Sequence, residues 1–202
     1  MLFSDEYIVV AQPAECWLRD RGSKFLAFAY PVMTEAEVKG ILEQLRSKFP
    51  DASHHCYAYV IGAGSEAQRA NDDGEPANSA GKPILRAIVS VQLTNVLVVV
   101  VRYFGGTLLG IPGLINAYGL AAKQVLELAG SVQKTREVVF MVSVAFANEQ
   151  ELHRLLSKFE GKIESMDYNN EGLIAKISIR NSLSNTFEAA IMNHYQLKLL
   201  SN

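Results

Sequence analysis

The chain has 202 residues, of which 19 are Lys or Arg and 21 are Asp or Glu, giving a formal net charge of -2. That balance argues against a protein held on nucleic acid by bulk charge, and 49% apolar residues argue against intrinsic disorder. No apolar run approaches the roughly 18 to 20 residues of a membrane span, and residues 1–30 lack a signal-peptide pattern, so the sequence predicts a cytoplasmic protein. The two cysteines, Cys16 and Cys56, are too few for a disulfide framework.

The first 132 residues are predicted to form an α+β domain in which helices pack on a sheet. It opens with three antiparallel strands, and Thr34 with Glu37 three residues later makes a capping box that begins an amphipathic helix. The three strands are predicted at 7–11, 15–18 and 24–32. The later elements are predicted as a strand at 54–61, a long polar loop at 62–82, a helix at 83–93, a strand covered on both faces at 96–101 and a helix at 114–128.

Residues 133–202 are predicted to form a second domain in the order β-α-β-β-α-β, a ferredoxin-like arrangement. The polar, Gly-containing stretch 129–131 separates a helix from a strand-like run and marks the boundary. The elements are predicted as a strand at 138–146, a helix beginning at Asn148 and ending at Gly161, a hairpin of strands 163–168 and 173–179 around the turn 169–172, a helix around Phe187 and a strand at 197–200.

The loop at 71–83 is the first candidate site, because a long loop inside a compact domain is uncommon and often functional. Asp72, Asp73 and Glu75 carry oxygen ligands of the kind that Mg²⁺ prefers. The same residues around a glycine are also typical of a plain turn. Because the carboxylates lack the spacing of an EF-hand, we favour the turn and predict no metal and no cofactor.

The second candidate site is the Gly-rich stretch from Arg102 through Tyr103, Gly105 and Gly106 to residue 114. A strand, a glycine turn and a helix N-terminus can together bind an anion, and Arg102 could add a charge-assisted contact. Alternatively, the glycines only let the strand and the helix pack closely. Tyr103 would suit RNA stacking if exposed, but core packing is the more frequent role.

His54 and Cys56 lie two residues apart on a predicted strand and should therefore share one face. A Cys nucleophile with a His base is conceivable, but the sequence shows no third, orienting group. A small buried Cys beside a partly buried His is the more frequent outcome.

These motifs, taken in order, resemble the IMPACT/YigZ family. The resemblance rests on Asp-Asp-Gly-Glu-Pro at 72–76 with Ala-Gly at 80–81, and on Arg-Tyr-Phe-Gly-Gly at 102–106 followed by Ala-Tyr at 117–118. It implies a first domain like the ribosomal-protein fold of domain IV of elongation factor G, and a ferredoxin-like second domain like that factor's domain V. It also implies a role in translation, since eukaryotic members of the family restrain a kinase that responds to amino-acid starvation.

The resulting hypothesis is a non-enzymatic cytoplasmic regulator of translation that binds RNA, the ribosome or a translation-associated protein through its first domain. The predicted contact face consists of Lys24, Arg69, Lys82, Arg86 and Arg102. An alternative is an enzyme or small-ligand-binding protein with a pocket between the loop at 72–76 and the turn at 102–106. The apolar helices are also compatible with a homodimer, because periodicity does not separate core from interface. The predicted binding residues are Lys24, His54, Arg69, Asp72, Asp73, Glu75, Lys82, Arg86, Arg102, Tyr103, Gly105 and Gly106.

Overall fold

A computed structural model describes residues 5–170 and 172–201, which fall into two compact units. The N-terminal unit is Tyr7–Lys134, and the C-terminal unit begins at Thr135 and includes Asp5 and Glu6. Both units mix helices with strands, and the predicted α+β class is confirmed. None of the described helices is long and apolar enough to cross a membrane.

The N-terminal unit is built on a five-stranded antiparallel sheet with helices on both faces. Its strands are β1 (Glu6–Val10), β2 (Ala14–Asp20), β3 (Ser23–Pro31), β4 (His54–Ile61), β5 (Ala67–Asn71), β6 (Val96–Tyr103) and β7 (Ser131–Thr135). Its helices are α1 (Glu35–Lys48), α2 (Gly81–Ser90) and α3 (Gly110–Ala129). The sheet order is β2-β3-β6-β4-β5, and β1 pairs with β7 in a separate two-stranded sheet.

Strand β6 lies at the centre of this sheet, and its run of valines is buried on both faces. One face packs on α1 and the other on α2 and α3, so apolar residues are required at every position from 96 to 101. Helix α1 begins as the capping box predicts, because the Glu37 N–H donates to Thr34 Oγ1 at 3.2 Å. The predicted helix α1 and strand β6 are both confirmed.

Three predictions for this unit need correction. Strand β1 does not join β2 and β3, because its partner is β7, a strand that was predicted only as a break in the chain. The loop predicted at 62–82 contains β5, a largely polar edge strand whose sequence carries little β propensity. The helix predicted at 114–128 begins four residues earlier, with Pro112 in its first turn, where its missing N–H costs no helical hydrogen bond.

The C-terminal unit has the predicted order β-α-β-β-α-β. Its elements are β8 (Glu137–Val144), a single 3₁₀ turn (Phe146–Asn148), α4 (Glu149–Phe159), β9 (Lys162–Tyr168), β10 (Leu173–Arg180), α5 (Asn181–Met192) and β11 (Leu197–Ser201). The sheet order is β11-β8-β10-β9 with antiparallel neighbours, and both helices contribute to one apolar core. Within the predicted hairpin turn, Glu171 lies outside the described residues. Helix α4 ends at Phe159, and its C-cap residue Glu160 adopts the left-handed conformation (φ 53°) just before the predicted end at Gly161.

Candidate functional site

The candidate site is built around Arg102, near the end of the central strand β6. Phe25 on β3 and His54 on β4 lie directly opposite Arg102 on its two sides. Directly opposed residues in antiparallel strands carry their side chains on the same face, so these three side chains form a row across the sheet. This row faces α2 and α3, on the same face as Cys56.

Arg102 forms a buried ion pair with Glu75 of the loop that follows β5. Arg102 Nη1 donates to Glu75 Oε1 at 2.6 Å, and the two side chains are only 6% and 3% exposed. The Tyr118 hydroxyl of α3 donates to the same oxygen at 2.7 Å, and Arg102 Nη2 donates to Ser23 Oγ at 3.2 Å. The guanidinium that was predicted as an exposed contact is therefore an internal link between the sheet, the loop and α3.

The carboxylates of Asp72 and Asp73 hold the loop in place through backbone N–H groups. Asp72 Oδ1 accepts from the N–H groups of Ala80 and Gly81, at 3.0 and 2.8 Å, where α2 begins. This carboxylate caps α2 in place of Ala80, the N-cap residue, which has no side-chain donor or acceptor. Asp73 Oδ2 accepts from the His55 N–H at 2.7 Å. These contacts support the turn interpretation, and among the described residues no group of three His, Cys, Asp or Glu side chains could hold a metal ion.

His54 is held in one orientation by the same loop. Its Nδ1 lies 2.8 Å from the carbonyl oxygen of Asp73, which can only accept, so Nδ1 carries the proton of this hydrogen bond. In the neutral imidazole, Nε2 is therefore an acceptor. It lies 3.9 Å from Glu75 Oε1.

Cys56 does not form the nucleophile and base pair that its spacing from His54 allowed. Its Sγ contacts the carbonyl oxygen of Asp72 at 3.0 Å and the Tyr118 hydroxyl at 3.4 Å instead. Burial raises the pKa of the Cys56 thiol, and burial likewise raises the pKa of the Tyr118 hydroxyl. A buried thiol that resists deprotonation is a poor nucleophile, so Cys56 is a core residue.

Gly105 brings two turns into contact, whereas the packing alternative for the Gly-rich stretch predicted close packing of a strand on a helix. A Cβ atom at Gly105 would lie 1.9 Å from the carbonyl carbon of Gly22, in the turn between β2 and β3. The Gly105 N–H also donates to Ser23 Oγ, the hydroxyl that accepts from Arg102. Gly106 has a φ of +84° with open space around it, so there the need is for backbone conformation.

A cleft of about 530 Å³ opens above the ion pair. Its floor contains His54, Glu75 and Arg102, and its walls are mainly apolar. Three wall residues are markedly exposed for their type: Phe104, Leu108 and Ile111, at 49%, 83% and 53%. The start of α3 borders the cleft at Gly110 and Ile111, and its N-cap residue, Leu109, makes no side-chain capping bond. Both stretches that line this cleft were predicted from the sequence, but the predicted binding residues did not include Tyr118 and Ser23, which hold the ion pair beneath it.

The five predicted basic contact residues do not form one face. Lys24 neighbours Phe25 on β3, so it lies on the sheet face opposite Arg102. Arg69 is exposed on edge strand β5, and Lys82 and Arg86 are exposed on α2. Tyr103 packs against the core on the α1 side.

Lys24 instead belongs to a second surface feature, centred on Trp17 of edge strand β2. Trp17 is 60% exposed, with Arg19 Cζ 5.7 Å and Lys24 Nζ 5.9 Å from its ring centroid. An adjoining cavity of about 290 Å³ is lined by Trp17, Lys48 and Phe49 among others. We call Trp17, Arg19, Lys24 and Lys48 the Trp17 surface. Sequence reasoning missed it, although a single Trp two residues from an Arg on an edge strand is a usable signal.

Comparisons with known proteins agree over most of the chain. Residues 21–126 match the family model described as the Impact N-terminal domain. The protein described as IMPACT family member YigZ, from Escherichia coli (strain K12), is 33% identical over 81% of this chain and 81% of its own length. An IMPACT family member from Haemophilus influenzae is 32% identical over 86% of this chain and 85% of its own length.

Two solved structures are also similar. One, described as a hypothetical protein, has 30% sequence identity, covers 98% of this chain and 97% of its own, and has a TM-score of 0.68. Another is described as the two-domain translational regulator Yih1. It is 34% identical over 61% of this chain and 47% of its own, with a TM-score of 0.38.

Proposed function

This chain belongs to the IMPACT family, and on that premise we propose that it is a non-enzymatic cytoplasmic regulator of translation that contacts single-stranded RNA through the Trp17 surface. Family membership supports the translational role. The RNA contact is supported by one observation above all, the exposed Trp17 ring with a cation on Arg19 and another on Lys24 beside it.

An exposed indole flanked by cations suits single-stranded nucleic acid for two reasons. Each base presents a π-face that can stack on an aromatic side chain, a contact of about 1–3 kcal/mol per base. Arg19, Lys24 and Lys48 can neutralise phosphates on either side of the stacked base. The surface is small and the chain carries a net charge of -2, so this RNA contact is local and does not depend on bulk charge.

Arg102 is not part of this proposal, because its guanidinium is buried against Glu75. Absence of oligouridine binding in the experiment below would overturn the RNA contact and leave a translation-associated protein or a second copy of the chain as the partner to test. The alternative of an enzyme loses its candidate nucleophile, because the Cys56 thiol is buried and contacts Asp72 and Tyr118 rather than His54.

The experiment measures binding of a fluorescein-labelled oligouridine to the full chain by anisotropy at two salt concentrations. With three phosphate contacts, the logarithmic salt slope for a single strand is about -2, so raising salt from about 50 to about 200 mM should weaken binding roughly 20-fold. Trp17→Ala should weaken binding by about 1–3 kcal/mol, which is roughly 5- to 150-fold.

Arg69→Ala is the matched control, because Arg69 is an exposed cation on the opposite edge strand of the same sheet. It should leave the affinity nearly unchanged. Equal loss from Trp17→Ala and Arg69→Ala would place the contact elsewhere, and affinity independent of salt would contradict an RNA contact altogether.

A further inference from the structure

The cleft above the ion pair has unused hydrogen-bonding groups that the Trp17 surface does not involve. We propose that this cleft binds a small apolar molecule carrying a neutral hydroxyl group, such as an aliphatic alcohol or a phenol. The inference goes beyond the RNA contact and stands or falls separately from it.

The floor of the cleft carries polar atoms with unused hydrogen-bonding capacity. Glu75 Oε1 accepts hydrogen bonds from Arg102 Nη1 and the Tyr118 hydroxyl, whereas Oε2 has no hydrogen-bond partner among the described residues. The Glu75 side chain is 3% exposed and lines the cleft. His54 offers Nε2 as a second acceptor, because its Nδ1–H is committed to Asp73. The floor therefore offers two acceptors to a ligand donor, and among the described residues the buried Arg102 Nε is a donor without a hydrogen-bond partner.

The charges of the residues that line the cleft also bear on the kind of ligand it can bind. Arg102 and Glu75 are the charged residues that line the cleft, and at 2.6 Å they neutralise each other. A ligand ammonium or carboxylate would give up hydration without meeting an unpaired counter-charge, which is costly in a largely apolar site. A neutral donor avoids that cost. The anion site considered from the sequence is therefore not supported, because it required an Arg102 without a carboxylate partner.

A hydroxyl fits the cleft better than a group that only donates. Helix α3 begins at the cleft without a side-chain cap, so its first N–H groups, at Gly110 and Ile111, are donors beside the acceptors of the floor. A hydroxyl can donate to Glu75 Oε2 or His54 Nε2 and accept from the start of α3 at once. The unpartnered oxygen of the largely buried Glu75 side chain selects the ligand class, and the helix start complements it.

The walls and rim of the cleft suit an apolar ligand body. Leu109 and Leu114 are buried wall residues, while Leu108, Phe104 and Ile111 form an exposed apolar rim. Covering such a rim with hydrocarbon removes apolar surface from water, at about 25 cal/mol per Å². A volume of about 530 Å³ accommodates a chain or ring of several carbon atoms.

The experiment titrates the ¹⁵N-labelled full chain with 1-hexanol, hexylamine and hexanoate, three probes with one apolar body and different head groups. We expect saturable shifts of the amide resonances of Phe104, Gly110 and Ile111 with hexanol, and about tenfold weaker binding of both charged probes. Tighter binding of hexanoate than of hexanol would show that the cleft prefers anions. Tighter binding of hexylamine than of hexanol would show that it prefers cations. Either result, equal affinities or no saturable shift overturns the proposal.

Two variants locate the site. His54→Phe removes one acceptor and should weaken hexanol binding about 3- to 10-fold, whereas the same change at His153, exposed in the C-terminal unit, should have no effect. Leu108→Asp changes a residue that is 83% exposed, so folding should be retained while the apolar rim loses its most exposed side chain and gains a charge. Unchanged hexanol affinity in both cleft variants would overturn the assignment. Trp17→Ala should weaken RNA binding by the same roughly 5- to 150-fold and leave hexanol binding intact, so failure of one proposal is distinguishable from failure of the other.

Discussion

Breaking the buried ion pair is the sharpest test of the structure. Glu75→Gln keeps an amide oxygen that can accept from Arg102 and Tyr118 but removes the negative charge. Arg102→Met keeps much of the side-chain volume but leaves the Glu75 carboxylate without its cation. Both changes act where the side chains are only 3% and 6% exposed, so water cannot replace the lost partner.

The expected cost follows from that burial. Leaving one member of a buried pair uncompensated costs about 3–5 kcal/mol, and Glu75→Gln should fall at the lower end because its hydrogen bonds survive. This is a large share of the roughly 5–15 kcal/mol that stabilises a typical domain. The double variant buries neither charge, so its cost should fall below the sum of the single variants by about 2–3 kcal/mol.

Urea unfolding followed by tryptophan fluorescence is the assay. Trp17 is the single tryptophan of the chain and lies in the N-terminal unit, so the signal reports on the unit that contains the ion pair. With a denaturant slope of about 2 kcal/mol per M, a loss of about 3–5 kcal/mol lowers the urea midpoint by about 1.5–2.5 M.

Losses below about 1 kcal/mol in both single variants, with additive effects in the double variant, would show that the pair is solvated in solution and would refute the reasoning.

Three further predictions test other parts of the N-terminal unit. Burial lowers the pKa of His55, so on acidification the unfolded state binds a proton at this side chain before the folded state does. The free energy of unfolding should therefore fall as pH drops below about 6.5. Urea titrations at stepped pH should show this fall, and His55→Gln should make it less steep. Cys56 is fully buried and Cys16 only partly, so iodoacetamide at pH 8 should alkylate Cys16 first, and mass mapping that found Cys56 first would contradict its burial. Gly105→Ala must displace the backbone of a neighbouring turn and should lower the melting temperature strongly, whereas Gly40→Ala, with open space in the middle of α1, should stabilise by about 0.5–1 kcal/mol.

The sequence predicted those elements whose own residues determine their structure. Helix α1 has both a capping box and apolar spacing, and β6 has an uninterrupted β-branched run, so local physics is sufficient for each. Strands β5 and β7 are short, polar and largely exposed, and they form because distant strands offer backbone hydrogen bonds. Pairing between distant segments leaves no periodic signal in such residues.

The candidate site shows the same limit. The loop with Glu75 and the turn after Arg102 were both singled out by composition, and both line one cleft. Their electrostatics were misjudged, because whether a cation is free or paired depends on a partner 27 residues away. Trp17 was overlooked because its significance comes from Lys24, which the hairpin of β2 and β3 brings beside it.

The pairing of β1 with β7 has a consequence for modularity. The chain passes between the two units twice, after Glu6 and after Lys134, so the N-terminal unit has the topology of an insertion within the other. Its entry and exit strands are paired neighbours, and paired strands run about 4.8 Å apart. An insertion whose ends meet can be exchanged or removed without stretching its host, so Tyr7–Lys134 is the natural cassette for transplantation. A cut after residue 132 would sever β7 and leave β1 with an incomplete partner.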